Sequence, residues 1–156
     1  MKKIKYEMNE NKKIIANLGI MHHTIRKFAD AKFMEIQNEL SGMYVFVLLY
    51  LAQQEQAHKK VFQKDLEQEF QISKATVSRM LSRMEQKNLV RRKGNAEDAR
   101  FKWIIMTAYS RKMIPDLKKA EEQLECTVLD GFSKKDKDVL LSCIAKMEHN
   151  LLKSNK

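Results

Sequence analysis

The chain has 156 residues, of which 44% are hydrophobic, so it is long enough for one compact domain with a sizeable core. Thirty Lys and Arg against twenty Asp and Glu leave a net charge of +10, which favours a polyanionic partner such as nucleic acid but also fits a lysine-rich soluble protein. The chain has only four Gly and one Pro, and the scarcity of Gly argues against a phosphate-binding loop. There is also no nucleophile elbow and no acid pair beside a basic partner, so the sequence predicts no enzyme and no catalytic residue.

The cysteines and apolar runs indicate the cellular location. Cys126 and Cys143 each lie within a helical pattern, so we expect both thiols to be reduced and buried. The apolar run from Met43 to Ala52 is far shorter than the ~20 residues of a membrane span, and no signal peptide is recognisable. These features predict a cytoplasmic protein without a membrane partner.

Two helices are predicted in the first third of the chain. Apolar residues recur at steps of three and four from Asn11 to Phe33, which indicates an amphipathic helix. A second helix, from Gly42 to Gln54, begins after a possible cap at Ser41 and is apolar nearly all round, so it should be buried. Its valines also fit a strand, but its length and its helical neighbours favour a helix.

A pair of short helices follows. In "VFQKDLEQEF" the apolar residues Phe62, Leu66 and Phe70 recur at steps of four, which predicts the first of them. Ser73 can cap the second, which runs from about Lys74 to Lys87. Asn88 can end that helix, because Asn tolerates the left-handed conformation.

A β-hairpin and two further helices complete the chain. "LVRR" and "FKWIIMT" are rich in β-formers and flank the polar turn "KGNAED". A long helical pattern covers Thr107 to Asp130, where Pro115 should kink the helix or mark its true start. Gly131 ends this helix, and Ser133 caps the last one.

The second helix of the short pair has the pattern of a DNA-recognition helix. Its apolar stripe lies at i, i+3, i+4 and i+7, formed by Val77, Met80, Leu81 and Met84. Hydroxyl groups and cations that suit the major groove lie outside this stripe, on Lys74, Thr76, Ser78, Arg79 and Arg83. The periodicity alone fits a solvated amphipathic helix equally well.

The hairpin strengthens the DNA-binding interpretation because a basic ribbon after a recognition helix is typical of a wing. We expect phosphate contacts from the residues that lead into it, Arg91, Arg92 and Lys93. Arg100 can enter a narrow minor groove, and Asp98 can hold its guanidinium in place. The alternative is a solvated polar turn.

The segment "KDLEQEFQISKATVSRMLSRMEQKNLVRRKGNAEDARFKWIIMT" resembles the core of the MarR-type winged-helix transcription factors. The resemblance rests on Leu66, "ISKATVSRML", "KNLVRR", the Asp98-x-Arg100 pair and Met106-Thr107. It implies a single, mainly α domain over residues 1–156, with a two-stranded hairpin wing. The winged-helix lobe would span about residues 41–107. Helices at about residues 9–35 and 108–153 would form a homodimer that binds a palindromic operator in double-stranded DNA.

Four positions depart from the family pattern. Asn88 stands where Gly is usual and can fill the same backbone role. Ala99 stands where a second wing Arg is usual, which removes one basic contact. Met106 replaces a usual Leu, and Ser110 replaces a frequent Gly.

Ligand and metal sites are not indicated by the sequence. His22 and His23 are adjacent, without the i, i+4 spacing of a helical metal pair, so we expect surface or interface histidines, no metal and no cofactor. Some members of the family bind small aromatic or amphipathic effectors, and five aromatics could line such a pocket, although core packing is their commoner role: Phe28, Phe33, Tyr44, Phe46 and Tyr50.

Two functional hypotheses remain open. The first is a cytoplasmic, homodimeric, sequence-specific DNA-binding regulator, a repressor released by a small effector. The second is a winged-helix protein-interaction module or antirepressor that does not bind DNA.

Overall fold

The computed structural model describes residues 13–38, 40–95 and 98–154, and the side chains of residues 95 and 98–101 lie outside that description. The chain divides into two compact units, Met1–Ala120 and Glu121–Lys156. The elements in chain order are α1 (Ile14–Ile36), α2 (Gly42–Gln56), β1 (Val61–Phe62), α3 (Gln63–Glu69), α4 (Lys74–Gln86), β2 (Val90–Asn95), β3 (Asp98–Met106), α5 (Ala108–Val128) and α6 (Lys134–Ser154).

The mainly α winged-helix fold is confirmed, and the sheet has one more strand than predicted. β2 and β3 form the predicted antiparallel hairpin, with Lys93 opposite Trp103. β1 adds a third strand on the other side of β3, with Val61 opposite Ile104, which gives the order β1-β3-β2. The sequence pattern placed Val61 and Phe62 in the following helix because two residues carry no strand period of their own.

The core of the first unit forms where α2, α3, α4 and the sheet meet. α2 is buried as predicted, through Val45, Val47, Leu48, Leu51 and Ala52. The predicted stripe of α4 is also confirmed, and other buried residues of this core include Leu66, Leu89, Val90, Ile104 and Met106. Each fully buried aliphatic side chain stabilises the fold by about 1.5–3 kcal/mol relative to exposure.

Gly42 lies at a close approach between α1 and α2. The backbone N–H of Gly42 donates to Asp30 Oδ1 over 2.6 Å, and a Cβ at Gly42 would lie 3.2 Å from the same oxygen. Nearby, the buried Phe33 ring packs edge-on against Phe46 at a centroid distance of 6.3 Å. Tyr50 packs likewise against Phe70 at 5.9 Å, so these aromatic rings pack against other rings of the fold.

The turn after α4 has the left-handed residue that the sequence predicts, since Asn88 has a φ of 55°. The Leu89 N–H donates to the Met84 carbonyl over 2.8 Å and closes the end of the helix. Ser110, which departs from the family pattern, is fully buried and donates to the Leu89 carbonyl over 2.6 Å. Its hydroxyl therefore ties the start of α5 to the turn after α4.

The C-terminal helices follow the predicted order with two corrections. α5 begins at Ala108 and contains Pro115 in its interior, so the proline does not mark the start of the helix. Gly131 has a φ of 79° beyond its end, as predicted. The predicted burial of Cys126 and Cys143 is wrong for the single chain, because both thiols are exposed and unpaired.

Candidate nucleic-acid interface

Both helices of the pair α3–α4 are capped, and a side chain of α3 contacts the start of α4. Asp65 Oδ2 accepts the Phe62 N–H over 2.7 Å at the start of α3. Gln71, with a φ of 50°, turns the chain between the two helices. The Gln63 Nε2 donates to the Lys74 carbonyl over 3.3 Å, and this contact fixes the start of α4 against α3. The geometry is that of a helix-turn-helix.

The N-terminus of α4 is capped and carries no acidic residue in its first turn. Ser73 Oγ accepts the Thr76 N–H over 3.3 Å, and the two hydroxyl oxygens lie 2.9 Å apart. The hydroxyl of Thr76 is thus occupied at the cap, while the side chain as a whole stays exposed. Without a neighbouring acid, the positive end of the helix dipole remains available to a phosphate.

The polar face of α4 is exposed as predicted. All five predicted groove-reading residues lie at the surface: Lys74, Thr76, Ser78, Arg79 and Arg83. Arg79 and Arg83 stand one turn apart on the side opposite the buried stripe. Neither guanidinium pairs with a carboxylate within the described ranges. The face therefore presents two available bidentate donors.

The three basic residues that lead into the wing do not share one environment. Arg91 and Lys93 are exposed, whereas Arg92 is only partly exposed. The Arg92 guanidinium forms an ion pair with Glu85 of α4. The role of Glu85 could not be predicted from the sequence, because its partner follows seven residues later, beyond the end of the helix.

The base of the wing also has contacts between lysine ammonium groups and an aromatic ring, which were not predicted from the sequence. Lys60 Nζ lies 4.4 Å from the centroid of the Trp103 ring, and Lys93 Nζ lies 5.9 Å from it. The register could have indicated the Lys93 contact, because Lys93 and Trp103 are cross-strand partners. Both ammonium groups therefore lie near the indole ring at the base of the wing.

The predicted contact between Asp98 and Arg100 lies outside the described side chains. Both residues belong to the strand β3. His22 and His23 are exposed, as predicted. Among the described residues, no three His, Cys, Asp or Glu side chains gather where they could hold a metal ion. None of the helices in the described part of the chain is long and apolar enough to span a bilayer.

Comparisons with known proteins give consistent matches. The model of the MarR family matches residues 39–100. An uncharacterized HTH-type transcriptional regulator, YdgJ of Bacillus subtilis (strain 168), is 29% identical over 111 residues, which are 71% of this chain. The match spans 64% of the length of that curated relative.

Two solved structures have the same fold. The transcription regulator MarR from Oenococcus oeni PSU-1 is 25% identical and superposes with a TM-score of 0.74, covering 88% of this chain and 99% of that one. The S. aureus MepR–DNA complex is 24% identical with a TM-score of 0.78, covering 89% of this chain and 96% of that one.

Proposed function

We propose that this chain is a MarR-type winged helix-turn-helix protein that regulates transcription by binding double-stranded DNA in a sequence-specific manner. The observation that carries this proposal is the exposed face of α4. There Arg79 and Arg83 lie one turn apart, and no carboxylate in the described residues engages them. Neither arginine has an acidic residue four positions away on the helix that could pair with it.

The residues of α4 take different roles in this proposal. Arg79 and Arg83 pair with guanine edges, for which the guanidinium fork is suited. Thr76 offers its methyl group to a thymine, since its hydroxyl is engaged by Ser73. Lys74 and Ser78 contact the phosphate and sugar backbone.

The wing supplies contacts on the flanking DNA. Arg91 and Lys93 are exposed and contact phosphates. Arg100, oriented by Asp98, enters the minor groove, as the sequence predicts. The role of Arg92 is different because Glu85 already occupies its guanidinium.

A homodimer is part of the proposal because two helices expose apolar faces. α1 exposes Ile14, Ile15, Leu18 and Met21. α6 has no buried residue and exposes Val139, Leu140, Ile144 and Leu151. Burial of such surface stabilises an assembly by roughly 25 cal/mol per Å², and a second copy would cover both faces. A two-fold dimer presents two copies of α4 to an inverted repeat.

Repression follows from occupancy of the DNA. A dimer bound across an operator excludes other proteins from the same base pairs, so the protein acts as a cytoplasmic repressor where the operator overlaps a promoter. Similarity to the family supports relief of this binding by a small aromatic or amphipathic molecule.

A salt titration distinguishes DNA binding from a protein-interaction module. The affinity for duplex DNA should fall with a log–log slope of about −0.9 per phosphate neutralised. Replacement of both Arg79 and Arg83 by Ala should weaken binding strongly. The same change at Lys118 and Lys119, which are exposed on α5, serves as the control and should have little effect. Absence of duplex affinity at low salt would contradict the proposal and favour a protein partner.

A further inference from the structure

Glu85 and Arg92 connect the recognition helix α4 to the first strand of the wing. The Arg92 N–H donates to Glu85 Oε1 over 3.1 Å. The guanidinium donates through Nη1 to Glu85 Oε2 and through Nη2 to the Ser78 carbonyl, the latter over 3.4 Å. The side chains are 23% exposed for Arg92 and 31% for Glu85. One carboxylate therefore holds both the backbone and the side chain of Arg92.

Strand alternation separates Arg92 from its basic neighbours. Arg92 is the cross-strand partner of Ile104, which is buried against the core. Directly opposed residues share a face of the sheet, and successive residues alternate. Arg92 therefore points toward the helices, whereas Arg91 and Lys93 lie on the other face.

The position of β2 in the sheet explains what this contact does. β2 is an edge strand, because the strand order is β1-β3-β2. Its Arg92 N–H points away from β3, and Glu85 accepts it. An edge strand presents backbone groups that have no partner strand on its outer side. The Glu85 carboxylate thus ties the edge of the wing to α4.

We propose that Glu85 and Arg92 are positioning residues that hold the wing and the recognition helix in one fixed orientation for DNA. In this proposal Arg92 contacts no phosphate, because its guanidinium is directed to Glu85 and to the Ser78 carbonyl. This replaces the expectation, drawn from the sequence, that Arg92 contacts the DNA backbone. The inference rests on the proposed DNA-binding function.

The salt dependence of DNA binding tests this role. Arg92→Ala should weaken binding roughly tenfold, in line with the loss of a charge-assisted hydrogen bond, and should leave the log–log slope unchanged. Arg91→Ala is the matched comparison and should reduce the slope by about 0.9. A reduction of that size for Arg92→Ala would show a phosphate contact and overturn the proposal.

Glu85→Gln distinguishes a positioning role for Glu85 from simple repulsion of DNA phosphates, because the two roles predict changes in DNA affinity of opposite sign. Removal of an acid near DNA strengthens binding if the acid only repels phosphates. A positioning role predicts weaker binding, because the amide oxygen and NH₂ group cannot hold Arg92 as the carboxylate does. Arg92→Lys should also weaken binding, because an ammonium keeps the charge but lacks the planar fork. Tighter binding by Glu85→Gln would contradict the proposal.

Hydrogen exchange tests the contact without DNA. In Glu85→Gln the Arg92 amide and the amides of β2 and β3 should exchange faster, while those of the buried helix α2 keep their rates and show that the fold is intact. If the wild-type protein binds no duplex, the proposed function fails, but the exchange rates still test whether Glu85 holds the wing on α4. Unchanged exchange at the wing would overturn it.

Discussion

The hydroxyl of Thr107 donates a 2.7 Å hydrogen bond to the main-chain carbonyl of Asn88, which lies directly after the recognition helix. Asn88 holds the left-handed conformation that ends the helix. Thr107 is itself buried, and its N–H donates to the Leu89 carbonyl over 3.2 Å. Thr107, the residue before α5, is therefore bonded to the turn that joins the recognition helix to the wing.

Replacement of Thr107 tests this connection. Thr107→Val keeps the shape but removes the hydroxyl, so the Asn88 carbonyl loses its donor. We expect a loss of about 1–2 kcal/mol in the free energy of unfolding, because the bond to Asn88 and the bond that the hydroxyl accepts from the Ser110 N–H are both lost. Urea denaturation measures this loss. Ser78→Ala, at an exposed position of α4, should change the stability by no more than about 0.5 kcal/mol. Equal effects of the two substitutions would contradict the structural role of Thr107.

Arg79→Ala tests base recognition by α4. If Arg79 pairs with a guanine, its loss should cost roughly 1–3 kcal/mol of binding free energy and relax the preference at one or two base pairs. Binding to a set of single-base operator variants measures both effects. Lys112→Ala removes an exposed charge from α5 and should leave the preference unchanged. A uniform loss on all operator variants would identify Arg79 as a phosphate contact.

The helix-turn-helix could be predicted from the sequence because its determinants are local. Ser73 caps α4 through the Thr76 N–H, and Val77 and Leu81 fall at helical spacing on its buried side. The left-handed end at Asn88 could be predicted from the same few residues, since an asparagine there tolerates a positive φ. Each of these features depends on neighbours within about one turn of helix.

The features that were missed depend on distant partners. β1 exists only because Val61 pairs with Ile104. Arg92 was grouped with its basic neighbours, and only the strand pairing and the turn after α4 bring it onto Glu85. The exposure of Cys143 has a similar origin, because α6 buries none of its residues in the single chain. A helical pattern indicates an apolar face but not what covers it.

Ile144→Glu tests the proposed dimer. Ile144 is 47% exposed on α6, and a charge there would be buried without a partner in an interface. Sedimentation should show a shift from dimers to monomers and, with it, weaker operator binding. Ser142→Glu adds the same charge on the opposite side of α6 and should leave the dimer intact. If the wild-type protein sediments as a monomer, the dimer proposal is wrong.

The start of α6 should respond to acid through its cap. Asp136 Oδ2 accepts both the Ser133 hydroxyl, over 2.6 Å, and the Ser133 N–H, over 2.9 Å. These bonds lower the pKa of Asp136 below its ordinary value of 3.8, the hydroxyl bond being the larger cause. The resulting stabilisation is complete above pH 3.8 and is lost as the pH falls through the lowered pKa.

Thermal melts of Asp136→Asn against the wild type measure this effect. The variant should be less stable at neutral pH, and the difference should shrink as both are taken below pH 3.8. Asp138→Asn, a nearby carboxylate on the same helix that does not form the Ser133 cap, is the matched control. A difference between Asp136→Asn and the wild type that is independent of pH would rule out the cap as its cause.

Selection of bound DNA from a random duplex pool tests sequence-specific binding by a dimer most directly. The wild-type protein should enrich an inverted repeat whose half-sites are centred about one helical turn apart, roughly 10 base pairs. Replacement of Arg79 and Arg83 by Ala should abolish the enrichment. Failure of the wild-type protein to enrich any sequence, together with no duplex affinity at low salt, would contradict the DNA-binding account.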